Sequence, residues 1–254
     1  MLYHTGHCHV EVLLRAHTGR NRVSRKEAHA LYHSTIHDLG ERGDAVKKEI
    51  LGSRADYACF IIDRNINFTN ICAAECDFCA FYREKDDPEA FTLTVDEILE
   101  KVRDLKKIGG TQVMIQGGIH ERYDLTFYKE IFSAIKATFP DIYIHSCSPA
   151  EIDSLAKREK KSVFDTIVEL KEAGLQSLPG AAEILVDEHR AKVSPRKLKS
   201  REWVEVMEGI HRAGMRATAT MTFGMGESLA DRIEHLFVIR DLQDRTGVFR
   251  AFIP

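Results

Sequence analysis

The stretch Cys72-Ala-Ala-Glu-Cys76-Asp-Phe-Cys79 places three cysteines within eight residues of the chain. Three thiolates so close in sequence can converge on one soft metal centre, whereas three cysteines cannot all pair with one another in disulfides. A closed zinc site needs four protein ligands, and no histidine lies between Cys59 and His120 to supply the fourth. We expect Cys59, in the apolar run 57–62, to be a small buried hydrophobe, so zinc is the less favoured interpretation. A four-iron cluster held by three cysteines keeps one iron open, and the stretch therefore predicts a reactive metal centre.

The spacing C-x3-C-x2-C, with Phe78 directly before the last cysteine, resembles the signature of the radical S-adenosylmethionine (SAM) enzymes. The resemblance implies that Cys72, Cys76 and Cys79 hold three irons of a [4Fe-4S] cluster and that SAM chelates the fourth. It also implies that an electron passed into bound SAM releases methionine and a 5′-deoxyadenosyl radical. Phe78 is then expected to cover the cofactors, although an ordinary place in the hydrophobic core is an equally open interpretation of this aromatic residue.

The composition is that of an ordinary soluble globular protein. The chain has 254 residues, of which 44% are hydrophobic and 30% charged, with a formal net charge of -3. The absence of a basic bias argues against nucleic acid as a partner. No apolar run approaches the roughly 18 residues that a membrane-spanning helix needs, and the first residues lack the plan of a signal peptide. Six cysteines, half of them in one cluster, favour a reducing compartment, so we expect a cytoplasmic protein.

The order of apolar runs and amphipathic segments predicts an α/β fold. Residues 1–56 are expected to form an N-terminal helical extension, with a capping box at Ser24-Arg-Lys-Glu27 opening one helix that ends near Gly40. From residue 57 to 254, short apolar runs alternate with helices, which is typical of a parallel sheet covered by helices. We expect strands at residues 66–71, 112–116, 142–145, 176–178, 216–223 and 248–253, with a loop between residues 180 and 200.

Six strands match the partial (β/α)6 barrel, a TIM-like fold, that the radical SAM resemblance implies. A terminal hydrophobic strand with no helix after it is unusual for a parallel sheet, so we expect the chain to be truncated and to lack the part that closes the barrel. Ligands of such barrels gather at the carboxyl ends of the strands. The cysteine stretch follows the first predicted strand, which agrees with that placement.

Further candidate residues lie near strand ends. Gly117 and Gly118 follow the second strand, where glycines allow close approach of a ligand, and the family's comparable motif binds the amino group of SAM. Gln116 beside them and Ser146 after the third strand are the other candidates for binding the cofactor or the substrate. Three carboxylates could bind a sugar hydroxyl or act in acid-base catalysis, with surface charge as the alternative: Asp63, Glu183 and Glu227.

Several longer segments resemble one branch of the radical SAM enzymes, the dehypoxanthine futalosine cyclases of the futalosine route to menaquinone. They are Asp63-Arg-Asn-Ile-Asn-Phe-Thr-Asn70, Cys79-Ala-Phe-Tyr-Arg83, Gln116-Gly-Gly118, Ser194-Pro-Arg-Lys197, Ala217-Thr-Ala-Thr-Met221 and Ala251-Phe-Ile-Pro254. The branch also contains aminofutalosine synthase and the tyrosine-ligating subunit of deazaflavin synthase, which stay alternatives. Its members take small molecules as substrates, here a nucleoside-like benzoate, and an electron donor such as flavodoxin or ferredoxin.

The reaction that this resemblance implies is an intramolecular, oxidoreductase-type radical cyclisation. The deoxyadenosyl radical abstracts a hydrogen from the ribose carbon that bears the side chain, and the carbon radical adds to the benzoate ring. Loss of one electron and one proton then restores aromaticity. Such a reaction needs a cation for the benzoate carboxylate, and Arg64, Arg83 and Arg216 are the candidates considered, with surface salt bridges as the alternative.

The chain also departs from the family's pattern. The loop Pro179-Gly-Ala-Ala-Glu183 is about one residue shorter than the family's glycine run, which bears on the placement of Glu183. Met225 stands where relatives commonly have histidine, and Val248 replaces a glycine. An inactive, metal-binding homologue is therefore a further hypothesis.

Overall fold

A computed structural model describes residues 22–254. Its centre is one sheet of six parallel strands in the order β1 to β6. The strands are β1 (Asp63–Asn67), β2 (Gln112–Gln116), β3 (Tyr143–Ser146), β4 (Ser177–Leu178), β5 (Arg216–Thr220) and β6 (Phe249–Ile253). Within the described range, β1 pairs only with β2 and β6 only with β5, so the barrel is open between its first and last strands.

Nine helices lie before the sheet or between its strands in the described range. They are α1 (Arg25–Leu31), α2 (Ile36–Leu51), α3 (Val95–Lys107), α4 (Leu125–Thr138), α5 (Pro149–Glu159), α6 (Val163–Ala173), α7 (Asp187–Val193), α8 (Ser200–Arg212) and α9 (Leu229–Thr246). None of the helices between residues 22 and 254 is long and apolar enough to cross a bilayer.

The part of the predicted extension before residue 22 lies outside the described residues. The single helix expected from Ser24 to Gly40 is wrong, because Thr35 caps a new helix with its side chain and separates α1 from α2. The expected capping box at Ser24 is confirmed, and α1 is tied to α9 by an ion pair in which Arg25 Nε lies 2.9 Å from Glu234 Oε2. The division of the chain at residues 56 and 57 stays a prediction.

Three other sequence expectations need correction. The loop expected between residues 180 and 200 contains α7, whose Arg190 and His189 are buried. The first strand begins at Asp63 rather than residue 66, because parallel pairing with β2 starts at Asp63 opposite Gln112. Cys59, expected to be buried, is exposed in a run that precedes the sheet.

Alternation along the strands decides which side chains face the concave side of the sheet. Val113 and Ile115 of β2 and Ile144 of β3 belong to the hydrophobic core between the sheet and the helices. Gln112 and Gln116 of β2 therefore point to the concave side. The concave side of β2 is polar for this reason, whereas the edge strands β1 and β6 carry several exposed residues.

Near the amino ends of the strands, polar contacts connect strands across the concave side of the sheet. Arg250 Nη2 of β6 donates to Gln112 Oε1 of β2 at 3.0 Å, and the Arg250 guanidinium lies 5.3 Å from the centroid of the Tyr143 ring. His145 Nδ1 of β3 lies 2.6 Å from Ser177 Oγ of β4. The Arg250 contact joins β6 to β2 from inside the open barrel.

His145 predicts how acid affects stability. Burial, and then the charge of Arg250, lower the pKa of His145 to about 3, whereas an unfolded histidine titrates near 6.5. Between these values the unfolded chain binds a proton that the folded chain does not, so stability falls as the pH drops through this window. Urea denaturation at pH 7 and at pH 5 measures how much the unfolding free energy falls on acidification. We expect this fall to be about 2 kcal/mol smaller in His145→Gln than in the unmodified chain.

The matched control is His211→Gln, which changes an exposed histidine at the end of α8. We expect this control to keep the acid sensitivity of the unmodified chain. An unchanged acid sensitivity in His145→Gln itself would contradict the assignment of a buried neutral imidazole.

Candidate active site

A cavity of about 270 Å³ lies at the carboxyl ends of the first strands. All three cysteines of the opening stretch line it, together with four other residues predicted from the sequence: Phe78, Gln116, Gly117 and Gly118. Asn65 and Asn67 of β1 add neutral polar groups to its wall. The structure thus brings the predicted metal ligands and most of the predicted cofactor-binding residues to one place.

The cysteine loop is held by backbone hydrogen bonds at both ends. Ala73 N donates to Ile119 O at 2.9 Å, which joins the loop to the turn after β2. Asp77 N donates to Val193 O at 2.9 Å, which joins it to the end of α7. Glu75, in a left-handed conformation with φ 47°, also forms an ion pair with Arg196. The loop is therefore fixed by two distant parts of the chain.

The environments of the three thiols differ. Cys72 Sγ accepts hydrogen bonds from Ala74 N at 3.4 Å and Ile119 N at 3.3 Å, which fix the position of this sulfur in the loop. Burial raises the pKa of Cys76 to about 11, so this thiol would be deprotonated by metal binding itself. Cys79 is exposed.

This donor set fits an iron-sulfur cluster better than a single ion. Between residues 22 and 254, no three His, Cys, Asp or Glu side chains are grouped closely enough to hold one metal ion. The thiolates of a cluster bind different irons and therefore stand farther apart than the ligands of one ion. Three thiols around one cavity, one of them with amide donors to its sulfur, are suited to such a cluster.

Gly118 permits the turn after β2 to pack against the cysteine loop. A Cβ atom on Gly118 would lie 2.1 Å from Ile71 O and 2.7 Å from Cys72 Cβ, far inside normal contact distances. A Cβ on Gly117 would lie 2.4 Å from Cζ of the buried Phe68 ring. Both glycines line the cavity, but the contacts that require them are with the protein itself. Their predicted contact with SAM stays a prediction.

Glu151, in the first turn of α5, is a cavity residue that sequence reasoning missed. Its Oε1 accepts from Gly117 N at 3.3 Å and from the Tyr128 hydroxyl at 3.1 Å, and its Oε2 accepts from Ser148 N at 2.6 Å. Burial raises the pKa of this carboxyl, which is 2% exposed. The sequence feature that could have identified Glu151 is the capping box Ser148-Pro-Ala-Glu151, which directly follows the end of a strand.

The three predicted catalytic carboxylates lie outside the cavity wall. Glu183 is buried and pairs with Lys197 at 2.6 Å, and Lys197 does line the cavity. Glu227 accepts hydrogen bonds from Gly224 N and Met225 N, both at 2.8 Å, within its own loop. Burial acts to raise the pKa of Glu227, but these bonds and Arg232 outweigh it and lower the pKa to about 2.

Asp63 and Ser146 are placed away from the cysteines. Asp63 lies at the amino end of β1, the opposite end from the cysteine loop, because the strand begins there. Ser146 is fully buried and its hydroxyl donates to Ile115 O at 2.6 Å. Neither residue lines the cavity, so these positions do not favour the roles predicted for them, which stay predictions.

None of the three arginines considered for a substrate carboxylate lines this cavity, although Arg83 lines a neighbouring cleft that shares Cys72 with it. Arg64 Nη1 donates to Lys101 O at 3.0 Å, on the side of α3. Arg83 forms an ion pair with Glu89 at 2.5 Å, and Arg216 donates to Gly247 O. Each guanidinium is engaged by the protein outside the cavity wall.

Comparison with known proteins shows the family to which the chain is similar. A family model described as the radical SAM superfamily matches residues 66–239, more than half of the chain. The chain is 44% identical over 246 residues to the cyclic dehypoxanthine futalosine synthase of Streptomyces coelicolor, covering 96% of this chain and 61% of that protein. It is 40% identical over 238 residues to a 5-amino-6-(D-ribitylamino)uracil--L-tyrosine 4-hydroxyphenyl transferase of Methanococcus maripaludis, covering 91% of this chain and 66% of that protein.

Among solved structures, methylornithine synthase matches with a TM-score of 0.70 at 17% identity, covering 88% of this chain and 62% of that one. This likeness bears on the fold alone, and it confirms the predicted partial α/β barrel. The chain spans less than two thirds of the length of each of these two curated relatives.

The close packing of Gly118 gives a test of the site. We expect Gly118→Ala to lower the unfolding free energy by about 2 kcal/mol or more, because the added methyl group overlaps a backbone oxygen that cannot rotate away. The same change should lower the iron and sulfide bound after anaerobic reconstitution, because the overlap displaces Cys72. Urea denaturation and iron analysis measure the two effects.

Gly43→Ala is the matched control, since Gly43 lies in α2 and a Cβ there meets no atom within 4 Å. This change should be neutral or stabilising by up to about 1 kcal/mol, with normal iron content. A Gly118→Ala chain with the stability and iron content of this control would show that the close approach does not hold the cysteines.

Proposed function

The chain belongs to the radical SAM superfamily, and we propose that it cyclises dehypoxanthine futalosine to cyclic dehypoxanthine futalosine, a step of menaquinone biosynthesis. The similarity to a synthase of that name over nearly the whole chain carries this proposal. The cavity supports it, since three cysteines of the family's spacing meet there beside the polar concave side of β2. The barrel site is thus suited to a small polar substrate.

In this proposal Cys72, Cys76 and Cys79 hold a [4Fe-4S] cluster beside bound SAM. When bound, these cofactors supply the deoxyadenosyl radical, and the chemistry is theirs rather than the protein's. The protein's part is to orient the substrate and to exclude water. Phe78, which lies between Cys76 and Cys79 in the sequence, is part of the cavity wall and can help to exclude water.

The neutral polar residues of the cavity suit the sugar of a nucleoside-like substrate. Asn65, Asn67 and Gln116 line the wall and offer both donors and acceptors. Such groups can bind ribose hydroxyls without introducing a buried charge. We therefore assign the ribose to the wall formed by β1 and β2.

The proposed electron donor and cellular compartment follow from the needs of an iron-sulfur cluster. A low-potential one-electron donor such as flavodoxin or ferredoxin would reduce the cluster, and the cytoplasm would keep the thiols reduced. The net charge of -3 offers no general attraction to nucleic acids.

A second candidate reaction is the transfer of the hydroxyphenyl part of tyrosine to 5-amino-6-(D-ribitylamino)uracil. The observation that favours it is the 40% identity to proteins of that name across most of the chain. Both candidates use a radical and a polar small molecule, so they differ in substrate and product. The assay must therefore offer both substrates.

The test is anaerobic reconstitution followed by reduction in the presence of SAM and dehypoxanthine futalosine. We expect about four irons per chain and formation of 5′-deoxyadenosine together with a cyclised product, measured by mass spectrometry. Cys76→Ala should lower the yield by at least about 100-fold, because two thiolates cannot hold the cluster. Cys59→Ala, outside the cavity wall, is the matched control and should retain the yield.

The other outcomes separate the alternatives. Deoxyadenosine with tyrosine and the ribitylaminouracil, but not with the futalosine, would select the transferase. A chain that binds stoichiometric zinc and forms no cluster absorbance would be an inactive metal-binding homologue, and the proposed function would be wrong.

A further inference from the structure

Within the described part of the chain, Glu151 is the one carboxylate on the wall of the cavity. The other titratable side chains of this wall are the three cysteines, Tyr82 and Lys197. The thiols are the proposed cluster ligands, and a phenol keeps its own proton at neutral pH. The ammonium group of Lys197 already donates to Glu183. Glu151 is therefore the wall residue that is suited to accept a proton from a ligand.

Glu151 is a buried carboxylate without a cation beside it. It is 2% exposed, and its oxygens accept hydrogen bonds from Gly117 N, the Tyr128 hydroxyl and Ser148 N. All of these donors are neutral, and no lysine, arginine or histidine between residues 22 and 254 forms an ion pair with Glu151. Buried acidic side chains seldom lack a charge partner. Burial consequently raises the pKa of this carboxyl, which makes its ionised form a stronger base.

A role in capping helix α5 does not account for these properties. Glu27 and Glu97 hold the same position in the capping boxes of α1 and α3, where each accepts the N–H of its cap residue at 2.7 Å. Both are exposed, and the hydrogen bonds of the box lower the pKa of both carboxyls. Glu151 makes the same contact but is buried and also accepts from Gly117 N and the Tyr128 hydroxyl. Capping requires neither burial nor a place on a cavity wall.

The titratable groups that face Glu151 are neutral at physiological pH. Burial raises the pKa of the Tyr128 phenol, on α4, well above its usual value. Burial, and then the charge of Glu151, raise the pKa of the Cys147 thiol, which follows β3. Arg158, farther along α5, lowers the pKa of Tyr128, but its guanidinium donates to the carbonyl oxygens of His120 and Tyr123. Glu151 is thus the group of this set that exchanges a proton most readily.

We propose that Glu151 is the catalytic base that accepts the proton released when the product ring regains its aromaticity. The inference rests on the proposed function, in which a carbon radical adds to the benzoate ring. The C–H bond at the attacked ring carbon then breaks, its proton passes to the Glu151 carboxylate, and its electron pair stays in the ring. The unpaired electron passes to the oxidised iron-sulfur cluster. The benzoate ring accordingly lies against Ser148, Ala150 and Glu151, next to the ribose wall of β1 and β2.

The substitution Glu151→Gln separates this proton transfer from the earlier radical step. Abstraction of hydrogen forms 5′-deoxyadenosine before any proton leaves the ring, so that step does not need the base. We expect the ratio of cyclised product to deoxyadenosine to fall about 100-fold or more, with the dissociation constant of dehypoxanthine futalosine changed by less than about threefold. A purely structural role of Glu151 would lower product and deoxyadenosine together and leave their ratio unchanged.

The matched control is Glu97→Gln, which makes the same change at the same position of the capping box of α3, outside the cavity wall. This variant should keep the ratio of product to deoxyadenosine of the unmodified chain. If Glu151→Gln keeps that ratio as well, Glu151 is not the base and the inference is wrong.

A pH profile tests the base in a chain that retains Glu151, and it decides the question if Glu151→Gln does not fold. A base must be ionised, so the ratio of product to deoxyadenosine falls as the pH drops through the pKa of Glu151. The Tyr128 hydroxyl donates to the carboxylate and stabilises its charged form. Tyr128→Phe should therefore shift this fall to higher pH by about one unit. A profile that does not move in Tyr128→Phe would contradict the role of Glu151.

These measurements also separate the inference from the proposed function. If the unmodified chain forms no cyclised product, the proposed function is wrong and the inference falls with it. If the unmodified chain forms the product, and Glu151→Gln forms it in the same ratio to deoxyadenosine, the function stands and the base is overturned.

Discussion

The contact between the turn after β2 and the backbone leading into the cysteines is the constraint on which the site depends. At Gly118 the two segments approach so closely that a single methyl group would overlap Ile71 O. The hydrogen bonds from Gly118 N to Thr69 O and from Ile119 N to Cys72 Sγ continue the pairing of β1 with β2 beyond the strands. The position of the first thiol is thereby a consequence of sheet register.

Buried carboxylates serve mainly to hold the backbone around this site. Glu151 accepts the N–H of Gly117, and Glu227 accepts two N–H groups of its own loop. A carboxylate removed from water must recover its lost hydration through such donors, so each one fixes the segment that supplies them. Glu183 differs because two cations, Arg190 and Lys197, pair with it.

Spacing and periodicity are local properties, so the sequence was sufficient to predict the strand order and the gathering of the three cysteines after the first strand. Their role as metal ligands stays a prediction. The sequence did not predict which way a side chain faces where that depends on how neighbouring strands are paired. Ser146 pairs with Ile115 across the β2 and β3 strands, and residues paired in this way face the same side. Since Ile115 belongs to the core under the helices, Ser146 is buried there, whereas Gln116 faces the cavity. The short helix α7 was missed because its seven residues carry little periodicity.

The loop between β4 and α7 illustrates how tertiary contacts can hold a residue in a backbone conformation that its side chain disfavours. Ala181 and Glu183 have φ values of 41° and 49°, a left-handed conformation that costs a side chain about 1 kcal/mol or more. Glycines would adopt it freely. Here Ala182 N donates to Thr220 Oγ1 at 2.9 Å, and Trp203 Nε1 donates to Gly180 O at 2.8 Å. These bonds to β5 and α8 outweigh the strain, so Glu183 meets Lys197, which lines the cavity.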